Sequence, residues 1–271
     1  MRAAAADASH ASRRFGWRLE PRLPRALIGL LVPLGAMVLW AVAARREWVP
    51  PQILPAPDEV WAAFSDLWTS GDLQHDTAIS LLRVIEGSAI GVAAGLMLGT
   101  GLGLSRGMEA YVRPLFSALA QIPALGWLPL MMLLVGIGEP LKVVIIALAA
   151  TVPVTFNTMN GIRAVPLGYF EIGRVFCYSR WQLLRSIVLP AALPPIFVGV
   201  RYGITHAWLA LVAVELLASS EGLGYLLVWG RQLFQLDVVI ASMAVIGLIG
   251  FALDRALAMI EQRLQRWKET A

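Results

Sequence analysis

A strongly apolar stretch in the last third of the chain carries ionisable side chains at helical spacing. Steps of 4, 3, 4 and 3 residues place one set on a single helical face: Arg201, Thr205, Trp208, Val212 and Glu215. Ionisable groups inside membrane helices are costly, so their default interpretation is functional. We therefore expect the face that holds Arg201, Thr205, Trp208 and Glu215 to be functional. The alternative is that Arg201 and Glu215 each pair structurally with another helix.

The sequence lacks the residue clusters that enzymes and metal sites require. Its three histidines are far apart, and the only cysteine, Cys177, excludes an internal disulfide and a cysteine-based metal cluster. The motif G-x-x-x-x-G-K-[ST] is absent, and the only lysines are Lys142 and Lys268, so the chain cannot cradle ATP phosphates by that route. We expect no catalytic residues, no metal and no cofactor.

The composition is that of a membrane protein. Apolar residues make up 58% of the chain and charged residues 15%, against roughly half and a quarter in soluble domains. The net charge of +4 fits basic ends of membrane helices better than nucleic-acid binding.

Six segments are apolar enough to cross a bilayer, which needs about 20 residues of helix. They are residues 26–44, 84–104, 115–135, 141–159, 195–217 and 238–260. The predicted fold is all-α, a polytopic membrane helix bundle with six transmembrane helices. A basic arm (1–25) precedes the six-span domain (26–260), and a short tail (261–271) follows it.

Lys and Arg are distributed unequally between the two sides of these spans. Of the 22 basic residues, sixteen fall in the arm, in the loops after spans two and four, and at the C-terminal end from Arg255 onward. Basic residues accumulate on the cytoplasmic side. This distribution predicts that both termini and the loop at 161–190 are cytoplasmic.

Glycine occurs at every fourth position of the second span, from Gly87 to Gly103. Small residues in this pattern let another helix approach closely, which predicts a tightly packed bundle.

An amphipathic helix is predicted in the first outer loop. Asp58 is the expected N-cap, and the apolar face holds Trp61, Phe64, Leu67 and Trp68. We expect this helix to lie at the membrane surface.

The loop at 161–190 is long for a connection between spans, and long loops in compact folds are usually functional. Its pattern predicts two short helices with a bend near residues 177–179, and Ser179 is the expected N-cap of the second helix. Pro190, Pro194 and Pro195 are expected to break the chain before span five. An exposed short helix with aromatic residues suits docking into a groove of another protein.

This loop resembles the EAA loop of ABC importer permeases. Glu171 matches the glutamate of that motif, Gly173 matches its second small residue, and Ile187-x-Leu189-Pro190 matches the downstream element. Ile172 departs from the pattern, and Cys177 replaces the glycine at the bend. If the bend requires a positive φ, cysteine carries strain that glycine avoids.

Further segments are similar to one branch of that family, the nitrate/sulfonate/taurine-type permeases. They are residues 54–57, 80–83, 122–129, 136–138 and 221–225. The similarity covers roughly residues 50–268 and implies a fold like that of a type I ABC importer permease.

The resemblance also implies function and partners. It implies a multi-pass permease of the cell (inner) membrane, paired with a second copy as a homodimer above two ABC ATPase subunits. An extracytoplasmic solute-binding protein would deliver a small solute such as an organic sulfonate, taurine or nitrate. ATP hydrolysis would take place in the partner. Residues implied in coupling to the ATPase are Glu171, Gly173, Cys177, Ser179 and Trp181. In such a permease we expect the face of span five with Arg201, Thr205, Trp208 and Glu215 to line the translocation pathway.

Two other function classes were weighed against this interpretation. An ion-coupled secondary transporter needs titratable relays in several spans and often inverted repeats; intramembrane charge is concentrated in span five, and no clear repeat is visible. An intramembrane enzyme needs a clustered nucleophile–base or metal set, which the sequence lacks. The cargo, and the choice between a homodimer and a heterodimer, stay open.

Overall fold

The computed structural model describes the backbone of residues 25–265 and the side chains of residues 31–263. This part of the chain is helical, with no strand. The α-helices are α1 (Arg25–Arg45), α2 (Pro57–Ser70), α3 (Asp72–Leu104), α4 (Arg106–Leu119), α5 (Leu128–Val135), α6 (Glu139–Arg163), α7 (Leu167–Val175), α8 (Arg180–Leu183), α9 (Leu189–Ala218), α10 (Leu223–Gln232) and α11 (Leu236–Gln265). A 3₁₀ turn (Ala124–Trp127) precedes α5, and a π-helical turn (Leu184–Val188) precedes α9.

The chain divides into two units, residues 1–49 and 50–271. The first contains α1, a helix at the position predicted for the first span. The predicted arm, and the tail beyond residue 265, lie outside the described residues.

The predicted all-α membrane fold is confirmed, but the count of six spans is not. Within the part of the chain that the structure describes, four helical stretches are long and apolar enough to cross a membrane: Asp72–Leu104, Glu139–Arg163, Arg180–Ala218 and Leu236–Arg263. A bent pair, α4 with the segment Ala124–Val135, would make a fifth. The described apolar part of α1, Leu31–Arg45, is shorter than a full span.

The span predicted over residues 115–135 is not one continuous helix. The chain bends there by 87° between α4 and the segment Ala124–Val135. Pro123 explains the break, because proline lacks the N–H that a continuing helix needs and its ring clashes with the preceding turn. A hydropathy window detects the apolar composition of both halves and misses the bend.

Helix α6 is packed between glycine-bearing faces of α3 and α9. A Cβ added to Gly95 on α3 would lie 2.7 Å from Val154 Cβ of α6, and one added to Gly203 on α9 would lie 2.7 Å from Val154 Cγ2. Buried α6 residues such as Ile146 and Ala150 are fully shielded within this packing. The close approach predicted from the glycine pattern is therefore confirmed, and its partner is α6.

Helix α2 confirms the predicted amphipathic helix with a different N-cap. Its first residue is Pro57 and its N-cap is Ala56, whose backbone N–H donates to Glu59 Oε2 at 3.0 Å. Asp58 therefore lies within the first turn. Leu67 is buried, whereas Trp61 is exposed, so α2 contributes one side to the protein core.

The predicted break before span five is also absent. Helical structure is continuous from Arg180 to Ala218, through the π-helical turn and past Pro194 and Pro195. The wide turn immediately precedes Pro190, and prolines inside membrane helices are tolerated where neighbouring helices and local π adjustments accommodate them. Pro195 packs against Gly161 of α6, where an added Cβ would lie 2.6 Å from Pro195 Cγ.

Gly91→Ala tests the packing of α3 on α6, because the new methyl would collide with the Ala147 carbonyl oxygen, a backbone atom. Gly247→Ala on α11 is the matched control, since nothing lies within 4 Å of its added Cβ. Both changes raise helix propensity equally. We expect Gly91→Ala to cost about 1–3 kcal/mol and to lower the melting temperature in detergent relative to Gly247→Ala. Equal melting temperatures would contradict this packing account.

Candidate functional site

A buried ion cluster joins α3, α6 and α9 at one end of the bundle. Its centre is the guanidinium of Arg83, which is only 2% exposed. Arg83 donates from Nε and Nη2 to both carboxylate oxygens of Glu139, at 2.7 and 2.6 Å, and from Nη1 to Glu215 Oε1 at 2.7 Å. We call this group the Arg83 cluster; its members are Asp76, Ser80, Arg83, Glu139, Lys142, Glu215 and Glu221.

Glu215 is the most deeply buried carboxylate of the Arg83 cluster. Its side chain is fully enclosed, and its oxygens also accept from the Ser80 hydroxyl at 2.8 Å and from the Gly224 N–H at 2.9 Å. A buried charge requires an ionic partner and further hydrogen bonds. Arg83, Ser80 and Gly224 supply them, so the pair can persist without water.

The same cluster holds the short connection between α9 and α10. Asp76 accepts from the Gly222 N–H at 2.7 Å, and Ser80 Oγ accepts from the Leu223 N–H at 2.9 Å. Arg83 Nη1 also donates to the Glu221 carbonyl at 2.9 Å. Gly222 has a φ of 106°, and an added Cβ would collide with Glu215. Only glycine fits this corner.

Two carboxylates of the cluster reach solvent. The side chains of Glu139 and Glu221 are 54% and 42% exposed, although both bind the buried Arg83. Lys142 is buried and donates to Glu139 Oε1 at 2.6 Å. The cluster therefore links the protein interior to one surface of the bundle through charged hydrogen bonds.

Sequence reasoning singled out Glu215 and missed its partner Arg83. The predicted second span began at residue 84, whereas α3 begins at Asp72, so Arg83 was assigned to a loop. The sequence did contain a signal for this cluster. Three of the segments similar to nitrate/sulfonate/taurine-type permeases lie in it or beside it: 80–83, 136–138 and 221–225.

The predicted pathway residues of α9 contact neighbouring helices of this chain. Arg201 Nε and Nη2 donate to the two carboxylate oxygens of Asp254 at 2.9 and 3.0 Å, and Nη1 donates to Glu261 at 3.0 Å. Thr205 Oγ1 donates to the Arg201 carbonyl, and Trp208 is buried against Gly250 of α11.

The ion pairs of Arg201 and Glu215 match the alternative in which each pairs with another helix. The pathway role of Arg201, Thr205, Trp208 and Glu215 stays a prediction.

A cavity of about 620 Å³ lies beside the α4–α5 bend, on a different side of α9. It is lined by residues of α4, the 3₁₀ turn, α5, α6 and α9, and the α9 contribution is His206, Leu209 and Ala210. None of the four predicted pathway residues belongs to this lining. We call it the bend cavity.

The segment at 161–190 forms the predicted pair of short helices, α7 and α8, joined by residues 176–179; we call it the elbow. Ser179 Oγ accepts from the Gln182 N–H at 3.3 Å, and Gln182 Oε1 accepts from the Ser179 N–H at 2.9 Å, which confirms Ser179 as the N-cap. Cys177 has a φ of 53°. The bend thus adopts the left-handed conformation that favours glycine. Cysteine occupies it here, at the position where the EAA loop has glycine.

The five predicted coupling residues lie on the elbow but differ in surroundings. Gly173 is buried, and an added Cβ there would collide with Leu183 Cδ1, so Gly173 sets how closely α7 and α8 pack. Glu171, Cys177, Ser179 and Trp181 are exposed. A partner could therefore contact these four directly, whereas Gly173 shapes the surface they share.

Comparison with known proteins identifies this architecture. Residues 91–266 match the family model described as the binding-protein-dependent transport system inner membrane component. The chain belongs to this family. Its members are multi-pass inner-membrane components of ABC importers, which work with an ATPase and a binding protein. The chain is a transport subunit and not an enzyme.

Curated relatives and solved structures agree with the family. A putative aliphatic sulfonates transport permease of Bacillus subtilis (strain 168) is 35% identical over 95% of this chain and 90% of its own length. The taurine transport system permease of Escherichia coli (strain K12) is 32% identical over 94% of each chain. A solved amino acid ABC transporter chain superposes with a TM-score of 0.56 at 17% identity, covering 73% of this chain and 97% of that one. The fold is that of a type I ABC importer permease.

Arg83→Leu is expected to destabilise the protein strongly, because it leaves Glu215 buried without its cation. Breaking a buried pair costs roughly 3–5 kcal/mol. The double variant Arg83→Leu with Glu215→Gln removes the orphaned charge but keeps hydrogen-bonding capacity, so it should be more stable than Arg83→Leu alone. Chemical denaturation in detergent measures both, with exposed Arg231→Leu as control. A double variant no more stable than the single one would refute the pairing.

Substitutions at Cys177 test whether the elbow stores backbone strain. A left-handed conformation costs an ordinary residue about 1–2 kcal/mol, so Cys177→Gly should relieve it and Cys177→Val should increase it. Hydrogen exchange of residues 167–189 should slow in the first variant and accelerate in the second. Cys177→Ala isolates the loss of the sulfur. If Gly and Val variants exchange alike, the bend is not strained.

Proposed function

We propose that this permease imports a small anion and is driven through its elbow by a separate ABC ATPase. The observation that carries the coupling role is the exposed apolar surface of the elbow. Leu167, Val175, Phe176 and Trp181 are each at least 66% exposed. Exposed apolar patches mark interaction sites, and short helices with aromatic side chains dock into grooves.

The internal contacts of the elbow give that surface a defined shape. Tyr178 N–H donates to the Gly173 carbonyl at 2.9 Å, which closes the turn after α7. The capping box at Ser179 starts α8, and Gly173 lets Leu183 pack against α7. A preformed docking surface loses less conformational entropy on binding than a flexible one.

The elbow is also mechanically connected to the bundle. Because helical structure is continuous from Arg180 to Ala218, a displacement of α8 is carried into α9. Helix α9 ends at the Arg83 cluster through Glu215. This continuity supports transmission of ATP-driven movement from the docking surface to the far end of the bundle.

The chemical class of the solute is inferred from the relatives. They are named for aliphatic sulfonates, taurine and, in Synechococcus elongatus, bicarbonate, all small solutes that carry an anionic group. We infer an organic sulfonate, taurine or a nitrate-like anion, delivered by a solute-binding protein.

The assembly and its orientation are inferred together. Two permease copies would sit on two ATPase subunits, with both termini and the elbow in the cytoplasm. The Arg83 cluster would then lie at the outer end, because α3 begins there and α9 ends there.

Trp181→Ala tests the coupling role. The tagged chain, purified from its native membranes, should bring an ATPase with it, and Trp181→Ala should reduce the recovered ATPase severalfold by removing an exposed aromatic anchor. Trp61→Ala is the matched control, because Trp61 is equally exposed but lies on α2. Co-purified protein and ATP hydrolysis are both measured.

Three outcomes separate the parts of this proposal. Loss of the ATPase with Trp181→Ala but not with Trp61→Ala supports docking at the elbow. Full recovery with Trp181→Ala contradicts the docking role. Failure of the unmodified chain to bring any ATPase, together with solute uptake driven by a proton gradient alone, would replace the ATP-driven importer with a secondary transporter.

A further inference from the structure

An exposed histidine lies at mid-length of a membrane-spanning helix. His206 is exposed and sits near the centre of α9, which runs from Leu189 to Ala218. Ionisable side chains within membrane segments almost always face the protein interior or a water-filled cavity. Since His206 is not covered by this chain, it faces either a water-filled passage or another protein.

A second observation points to the same place. The backbone between α4 and α5 is not α-helical. Residues of this connection, such as Ile122, Pro123 and Leu125, line the bend cavity together with His206. Non-helical backbone at membrane depth is tolerated only inside protein or beside a water-filled cavity. The bend and the histidine therefore both fit a water-filled bend cavity.

Among the residues whose side chains the structure describes, His206 is the only titratable one in the lining of this cavity. Two further lining residues carry polar atoms. Thr151 donates to the Ala147 carbonyl of its own helix at 2.7 Å, and Trp127 carries an indole N–H, which is neutral. The remaining lining side chains are apolar. A charged solute in this cavity would therefore find one side chain able to carry a compensating charge.

The hydrogen bonding of His206 leaves one ring nitrogen available. Nδ1 lies 2.8 Å from the Tyr202 carbonyl oxygen, which can only accept, so Nδ1 carries a proton. Among the residues that the structure describes, none bonds to Nε2. In the protonated ring Nε2 donates to an oxyanion, with the strength of a charge-assisted hydrogen bond.

Three basic side chains of α3, α6 and α9 are already paired with carboxylates. Arg83 and Lys142 lie against carboxylates in the Arg83 cluster, and Arg201 lies between Asp254 and Glu261. His206 has no such carboxylate in the cavity lining.

The geometry points to His206, in its protonated form, as the residue that contacts the anionic group of the solute in the bend cavity. This inference rests on the proposed import of an anion. It places the solute on the His206 side of α9, away from the ion pairs of Arg201 and Glu215.

Thiol reactivity measures both the hydration and the anion preference of the cavity. Cys177→Ala removes the only cysteine, and Leu209→Cys then places a reporter in the lining, one helical turn from His206. The chain, reconstituted with its ATPase in liposomes, is treated with anionic 2-sulfonatoethyl and cationic 2-(trimethylammonio)ethyl methanethiosulfonate. The measured quantity is the ratio of the anionic to the cationic reaction rate.

With His206 present, we expect this ratio to exceed that of the His206→Leu variant by about fivefold, the effect of one nearby charge in a hydrated site. His206→Lys keeps a positive charge and should preserve the ratio. His206→Gln keeps a polar side chain without charge and should lose the preference for the anionic reagent. It takes the place of His206→Leu if the leucine variant does not fold. Met97→Cys, exposed on α3 and outside the lining, serves as the control reporter.

Two results would overturn the inference. A Leu209→Cys reporter that reacts with neither reagent would mean that lipid or a second copy of the chain fills the cavity. A ratio unchanged by His206→Leu or His206→Gln would mean that the histidine does not attract anions. The assay requires neither ATP turnover nor a known solute. A negative result would therefore overturn the role of His206 and leave ATP coupling untouched. Loss of ATP coupling, in turn, would leave the measured ratio unchanged.

Discussion

The close approach of three helix backbones is the constraint on which this chain depends. Within lipid, apolar side chains gain little by leaving one apolar environment for another, so helices associate through tight packing and polar contacts. Glycines on α3 and α9 remove the side chains that would hold α6 away. Only at that distance do the side chains of Arg83 and Glu215 meet Glu139 in a single buried cluster. Packing and electrostatics are thus two consequences of one arrangement.

The buried cluster also explains how a polar helix end is stable in this position. The first turns of α3 carry Asp76, Ser80 and Arg83, all buried. Each forms hydrogen bonds to the connection between α9 and α10 or to its flanking residues. Because these groups satisfy one another, the region needs no water inside and fixes where α9 ends. The result is a rigid frame around the more open α4–α5 bend.

Much of the architecture was predictable from local sequence patterns, and the errors have a common physical cause. The glycine period indicated close packing, and Ser179 indicated the start of α8, because both depend on residues near in sequence. The start of α3 and the partner of Glu215 depend on pairing between distant polar residues, which an apolar window cannot detect. The straight span over 115–135 and the break at Pro194 failed for a related reason. Proline disrupts a helix or is accommodated in it according to its neighbours, and Pro195 has Gly161 beside it.

The unbroken helix from Arg180 to Ala218 has a geometric consequence. Among its tight contacts with α6, the one between Pro195 and Gly161 lies nearest the elbow, so a tilt that starts at the elbow would have its fulcrum there. From Trp181 to that point the helix measures about 21 Å, and from there to Glu215 about 30 Å, at 1.5 Å per residue. A stiff rod tilting on this fulcrum moves its longer arm farther than its shorter one and in the opposite direction. A small inward displacement of the elbow would therefore move the Glu215 end of α9 outward by a larger distance, as in a lever with unequal arms.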